Sequence, residues 1–108
     1  MDVYEYYLTF LSEVIDSHKK EDRIGTHESY KRCIEVFVEA VRVAASMNTF
    51  GNTLPYSIEI PKYMYEYLLE AQRVLSCNIG LNHFDVYGIS VKVGDFEEDK
   101  MILRYAPF

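Results

Sequence analysis

The feature that most limits what this chain can fold into is the run Tyr30, Cys33, Ile34, Phe37, Val38, Val41, Ala44 and Ala45. Its 3-4 spacing lays one apolar stripe along an α-helix for about five turns. Thr26 or Ser29 supplies an N-cap. A second, narrower line, Val36, Ala40, Val43 and Met47, runs beside the first and leaves Lys31, Arg32, Glu35, Glu39 and Arg42 on a reduced polar strip. A helix apolar on two sides is expected at the centre of a fold, between another helix and a sheet. The other use of the second line is contact with another copy. A monomer is the expectation, and a homodimer through this helix the alternative.

The flanking segments follow from the same periodicities. Val3, Tyr4, Tyr7, Leu8, Leu11, Val14 and Ile15 repeat the helical spacing, and Asp2 with Glu5 three residues later forms a capping box. This predicts a helix starting at residue 2 or 3 and ending in the basic group His18-Lys19-Lys20, which suits a helix C-terminus. Between Ser46 and Pro55 the chain is rich in Asn, Thr and Gly and reads as a loop. Tyr56, Ile58 and Ile60 then alternate with Ser57 and Glu59 as a strand, and Pro61 favours the first turn of a third helix. That helix would bury Met64, Tyr67, Leu68, Ala71, Val74 and Leu75. Tyr87, Ile89, Val91 and Val93, then Met101, Leu103 and Tyr105, alternate on either side of Gly94-Asp95 and predict a β-hairpin with a long acidic tip. The order α-α-β-α-β-β predicts one α+β domain over residues 1–108: three helices packed on a small three-stranded, mainly antiparallel sheet.

Composition enters by exclusion. Eleven Lys and Arg face 17 Asp and Glu, a formal net charge of -6, which disfavours direct nucleic-acid binding because Lys and Arg supply the phosphate contacts. No stretch approaches the ~20 apolar residues of a membrane span. Met1-Asp2-Val3-Tyr4-Glu5 lacks the basic start of a signal peptide, so a cytoplasmic location is expected. Cys33 and Cys77 form no C-x-x-C and read as reduced thiols.

Complete catalytic signatures do not occur. His18, His27 and His83 show no i, i+4 pairing, and His83 with Asp85 is only a two-ligand spacing, so no metal and no cofactor is expected. Cys33 sits on an apolar stripe, and Cys77 near a helix C-terminus, where the dipole disfavours a thiolate. The expectation is a protein that is not an enzyme. Two surfaces are candidates for binding a partner. Asp95, Phe96, Glu97, Glu98 and Asp99 form an acidic tip with one aromatic, suited to a basic groove: its charge would steer association and Phe96 would be desolvated. Ten tyrosines stand against no tryptophan. Of these, Tyr4, Tyr7, Tyr30, Tyr67, Tyr87 and Tyr105 fit core-facing positions. Tyr6, Tyr63 and Tyr65 fall among carboxylates or beside the stripes, an interface composition.

The segment from Ile60 to Leu69, Ile-Pro-Lys-Tyr-Met-Tyr-Glu-Tyr-Leu-Leu, followed by Tyr87-Gly88-Ile89-Ser90-Val91, resembles segments of the small, acidic, tyrosine-rich orphan proteins of bacteriophages and mobile elements. The resemblance covers about half the chain and implies no residue-level role. It implies binding and blocking of a host protein, such as a nuclease of anti-phage defence in the way anti-CRISPR proteins act, or service as a virion or morphogenesis subunit. The function expected is thus a non-enzymatic acidic protein-binding module that inhibits a host protein by occupying its basic surface. The partner expected is basic, a nucleic-acid-binding host protein among the options. The alternatives are a small-molecule binder or enzyme with a pocket between helix 3 and the sheet, and a structural homo-oligomer.

Overall fold

The doubly apolar helix forms as its spacing dictates. In the computed structural model, which describes residues 3–20, 27–47, 55–76 and 85–105, it is α2 (His27–Met47), with Tyr30, Cys33, Phe37, Val41 and Ala44 buried. The other elements are β1 (Val3–Tyr7), α1 (Thr9–Lys20), β2 (Ser57–Ile60), α3 (Lys62–Ser76), β3 (Asp85–Val86), β4 (Ile89–Val93) and β5 (Lys100–Arg104). The α+β class with three helices therefore holds, but the order is β-α-α-β-α-β-β-β. The sheet has five strands, in the order β1-β5-β2-β4-β3.

The sheet is mixed rather than three-stranded and mainly antiparallel. β2 runs parallel to β4, and α3 followed by the short β3 lies between them in the chain, a long connection with a helix of the kind a parallel pair needs. β5 then inserts between β1 and β2, antiparallel to both. The expected hairpin between residues 87 and 105 is consequently absent, since β2 separates β4 from β5. The acidic run is a bridge across the end of β2. Pro61 is buried and precedes α3 as expected, its carbonyl accepting from the Tyr65 N–H at 3.0 Å as the first intrahelical bond.

Residues 3–7 correct the expectation of a helix from residue 2 or 3. Val3, Tyr4, Tyr6 and Tyr7 are β-branched or aromatic, types that fit a pleated surface, and Tyr4, Tyr6 and Leu8 also satisfy a period of two. Pairing with β5 decides between the periods: Tyr4 lies opposite Leu103 and Tyr6 opposite Met101, both on the core face. Glu5, expected in a capping box, points to the other face, 2.8 Å from the Lys100 Nζ. Asp2 lies outside the described residues. Helix α1 opens at Leu8, whose carbonyl accepts from the Ser12 N–H at 2.9 Å.

Side chains alternate across the sheet. Ile58, Ile60, Ile89, Val91, Met101 and Leu103 join Leu11, Ile15, Phe37, Met64 and Leu68 in one buried cluster under the helices. The opposite face carries Glu5, Glu59, Lys100, Ile102 and Arg104, with Arg104 paired to Glu59. Two of the tyrosines expected to face the core depart from that expectation. Tyr87 is exposed because Tyr87 and Gly88 form the β3–β4 turn, with φ of 53° and 78°. Tyr7 is also exposed, lying on the open sheet face. His18, expected in a polar helix end, is buried edge-on against Tyr30 and Tyr67, with ring centroids 5.0 and 5.6 Å away.

Candidate functional site

The acidic bridge between β4 and β5 is fixed at both ends by backbone bonds. The Gly94 N–H donates to the Ile60 carbonyl at 2.7 Å, tying its start to the end of β2. At its other end the Leu8 N–H donates to the Asp99 carbonyl at 2.7 Å, extending the β1–β5 ladder by one pair, and the Lys100 N–H donates to the Glu98 carbonyl at 2.8 Å. Gly94 is buried, and a Cβ there would run into the Phe96 ring. Glycine is thus what lets the ring fold back over its own turn.

Side chains complete the tether. The Tyr63 hydroxyl, at the start of α3, donates to the Asp99 carboxylate and lies 3.2 Å from the Ser12 hydroxyl of α1. Burial first, then this bond to Asp99, pushes the Tyr63 phenol up to about 12, so it remains a neutral donor. The negative charges of Asp99 and Asp16 act in the same direction. Lys100 Nζ lies 5.4 Å above the Phe96 ring, 3.5 Å from the Glu98 carboxylate and 2.8 Å from that of Glu5. The hydrogen bond to Glu5 is the main cause that raises the Lys100 pKa.

These contacts sort the candidate residues. Asp95 and Glu97 are exposed and, among the described residues, make no ion pair. Glu98 is exposed and shares Lys100, while Phe96 and Asp99 are half-buried in the bridge itself. Of the three candidate tyrosines, Tyr63 reaches the bridge through Asp99. Tyr6, placed by the helical reading on a polar face, is half-buried on the core side of β1. Tyr65 is half-buried against the core. Ser12 and Lys100 complete the site without having been singled out in the sequence. The alternation of Lys100 with Met101 was a usable sign for the second, whereas nothing local marks Ser12.

Other surfaces are less organised for chemistry. An apolar cavity of about 280 Å³ lies between α2, α3 and β3, walled by Ile34, Val38, Leu75 and Val86, with Gln72 and Asp85 as its polar groups. Cys33 is buried, and burial pushes its thiol up to about 11, which keeps it protonated and unreactive near neutral pH. Among the described residues no group of three or more His, Cys, Asp or Glu is placed to hold a metal ion, and no helix is long and apolar enough to cross a membrane. His83, Cys77 and Thr26 lie outside the described residues. Compared with protein-family models, curated proteins and solved structures, the chain matches none.

Proposed function

We propose that this chain is a non-enzymatic protein-binding module whose acidic bridge, residues 95–99, enters a basic surface of a partner protein. The inhibitory form of this reading is that the partner is a host protein whose nucleic-acid-binding surface is occupied, as phage-type inhibitors do. The observation that carries it is the tethering of the bridge. Two backbone anchors and the Tyr63–Asp99 bond fix the segment, while Asp95 and Glu97 keep their carboxylates in water. A fixed loop loses little conformational entropy on docking, so more of its interaction energy goes into affinity. Net charge of -6 adds long-range steering toward a basic surface. Phe96 acts here as part of the folded bridge, under Lys100, rather than as a protruding anchor.

The experiment is affinity capture from host lysate, followed by kinetics with the purified partner. Asp95→Lys with Glu97→Lys should leave stability within about 0.5 kcal/mol, as exposed substitutions do. It should slow association about tenfold or more at low salt, with the difference shrinking as salt rises. Equal association rates for both proteins would refute the role of the bridge.

A further inference from the structure

The two edges of the sheet are built differently. β3 has two residues and offers little to a neighbouring strand, whereas β1 has five, Val-Tyr-Glu-Tyr-Tyr, with no Pro, Gly or Lys to blunt it. Long aromatic edges without such devices invite pairing with another chain. Which backbone groups of β1 face outward follows from the ladder. Leu8 donates to Asp99, and the register continues through Tyr6 with Met101 and Tyr4 with Leu103. Residues that bond one neighbour alternate with residues that point away from it. On the far side of β5, the Arg104 carbonyl accepts from the Tyr56 N–H at 2.8 Å, in the same alternation. Val3, Glu5 and Tyr7 therefore direct their N–H and C=O groups to the outer edge, where no strand of the described residues lies.

We propose that a second copy of this chain covers this edge, its β1 pairing antiparallel with this β1 about a two-fold axis at Glu5. In that register Val3 lies opposite Tyr7, Glu5 opposite Glu5 and Tyr4 opposite Tyr6, so all the outward backbone groups of both strands are bonded. Cross-strand aromatic and aromatic–β-branched pairs are favourable. The local Glu5–Lys100 pairing at the axis fits the same occupant. Each Glu5 carboxylate already holds the Lys100 ammonium of its own copy at 2.8 Å, with Glu98 sharing that ammonium at 3.5 Å, so each of the two like charges that meet at the axis is offset by an adjacent cation. A basic peptide would meet Lys100, and an acidic one would meet Glu5. On the helix side, a groove of about 340 Å³ runs beside the edge, bounded by Tyr6, Phe10, Val36, Ala40 and Val43. Phe10 is 57% exposed in the single chain, and the second copy's Tyr4 would come beside this groove. The second apolar line of α2 thus contributes through the groove instead of through helix-to-helix contact.

This dimer is independent of the acidic-bridge reading, and salt separates the two. Copies that each carry -6 repel one another, so added salt should tighten the dimer, whereas it should weaken a complex with a basic partner. Sedimentation over a range of concentrations should give a species of twice 12.7 kDa. Hydrogen exchange should show the Glu5 and Tyr7 amides protected at high concentration and lost on dilution, while those of Tyr6 and Leu8 stay protected. Glu5→Pro removes an outward N–H that makes no bond among the described residues, and Glu5→Lys places four cations around the axis. Either should raise the dimer dissociation constant about tenfold or more with an unchanged circular dichroism spectrum. If Glu5→Pro unfolds, Glu5→Lys decides. A wild-type monomer at every concentration up to about 1 mM, a dimer that survives Glu5→Lys, or a dimer with unprotected Glu5 and Tyr7 amides would each overturn the proposal.

Discussion

Replacing Tyr63 with Phe removes one oxygen and leaves the ring, which isolates the link between α3 and the acidic bridge. The lost bond runs to a carboxylate, and hydrogen bonds to charged groups contribute about 1.5–3 kcal/mol. Tyr63 is 36% exposed and Asp99 half-buried, so water replaces part of what is lost. The expected destabilisation is about 1–2 kcal/mol at pH 7. The pH dependence supplies a second check. The phenol is raised in the folded protein from 10.0 to about 12, so folding favours its neutral form. That contribution is fully present below pH 10 and is lost as pH rises toward 12. An unscreened shift of this size would correspond to about 2.7 kcal/mol, and exposure reduces it to about 1 kcal/mol. Urea denaturation of both proteins between pH 7 and pH 12, followed by circular dichroism, gives the difference directly. Other groups titrate there, Lys100 among them, but they are common to both proteins and cancel. A gap below about 0.3 kcal/mol at pH 7, or one that does not narrow above pH 10, would show that Tyr63 does not hold the bridge.

Phe37 is 1% exposed at the middle of the main stripe of α2, so Phe37→Ala should cost about 3–5 kcal/mol in denaturant melts. Tyr87 holds a left-handed conformation, φ 53°, ahead of Gly88, and Asn-Gly is the pair that suits such a turn. Tyr87→Asn should therefore stabilise the protein by about 0.5–1 kcal/mol, read as a rise in the urea midpoint.

Much of the helical layer was legible because it depends on near neighbours. The stripe of α2 and the Pro61 start of α3 are set by residues within a few turns. Residues 3–7 were not legible for the opposite reason. Their pattern satisfies both helical and strand periods, and the choice is made by β5, whose Lys100 meets Glu5 across 95 positions of sequence. The same applies to the hairpin expected around Gly94. Alternation identified β4 and β5 as strands but could not report that β2 stands between them. At the candidate site the acidic run was plain in the sequence. Its tether was not, since Tyr63 and Asp99 stand 36 positions apart and nothing near either marks the other. The exposure of Asp95 and Glu97 and the folding back of Phe96 depend on that tether and on Gly94.

The place of β5 bears on how the chain is made. β1 leaves the ribosome before its neighbour β5, 95 positions earlier at the Glu5–Lys100 contact. At ~5–20 residues per second, the Val-Tyr-Glu-Tyr-Tyr segment spends roughly 5–20 s without its native partner. During that interval both sides of an aromatic strand are open, and the helices that follow have only part of the sheet to pack on. Molecular chaperones that bind extended apolar segments would meet this one early, and a polysome would hold several such strands close together. Closure of the sheet then waits on the arrival of residues 100–104, which join β1 to β2 in one step.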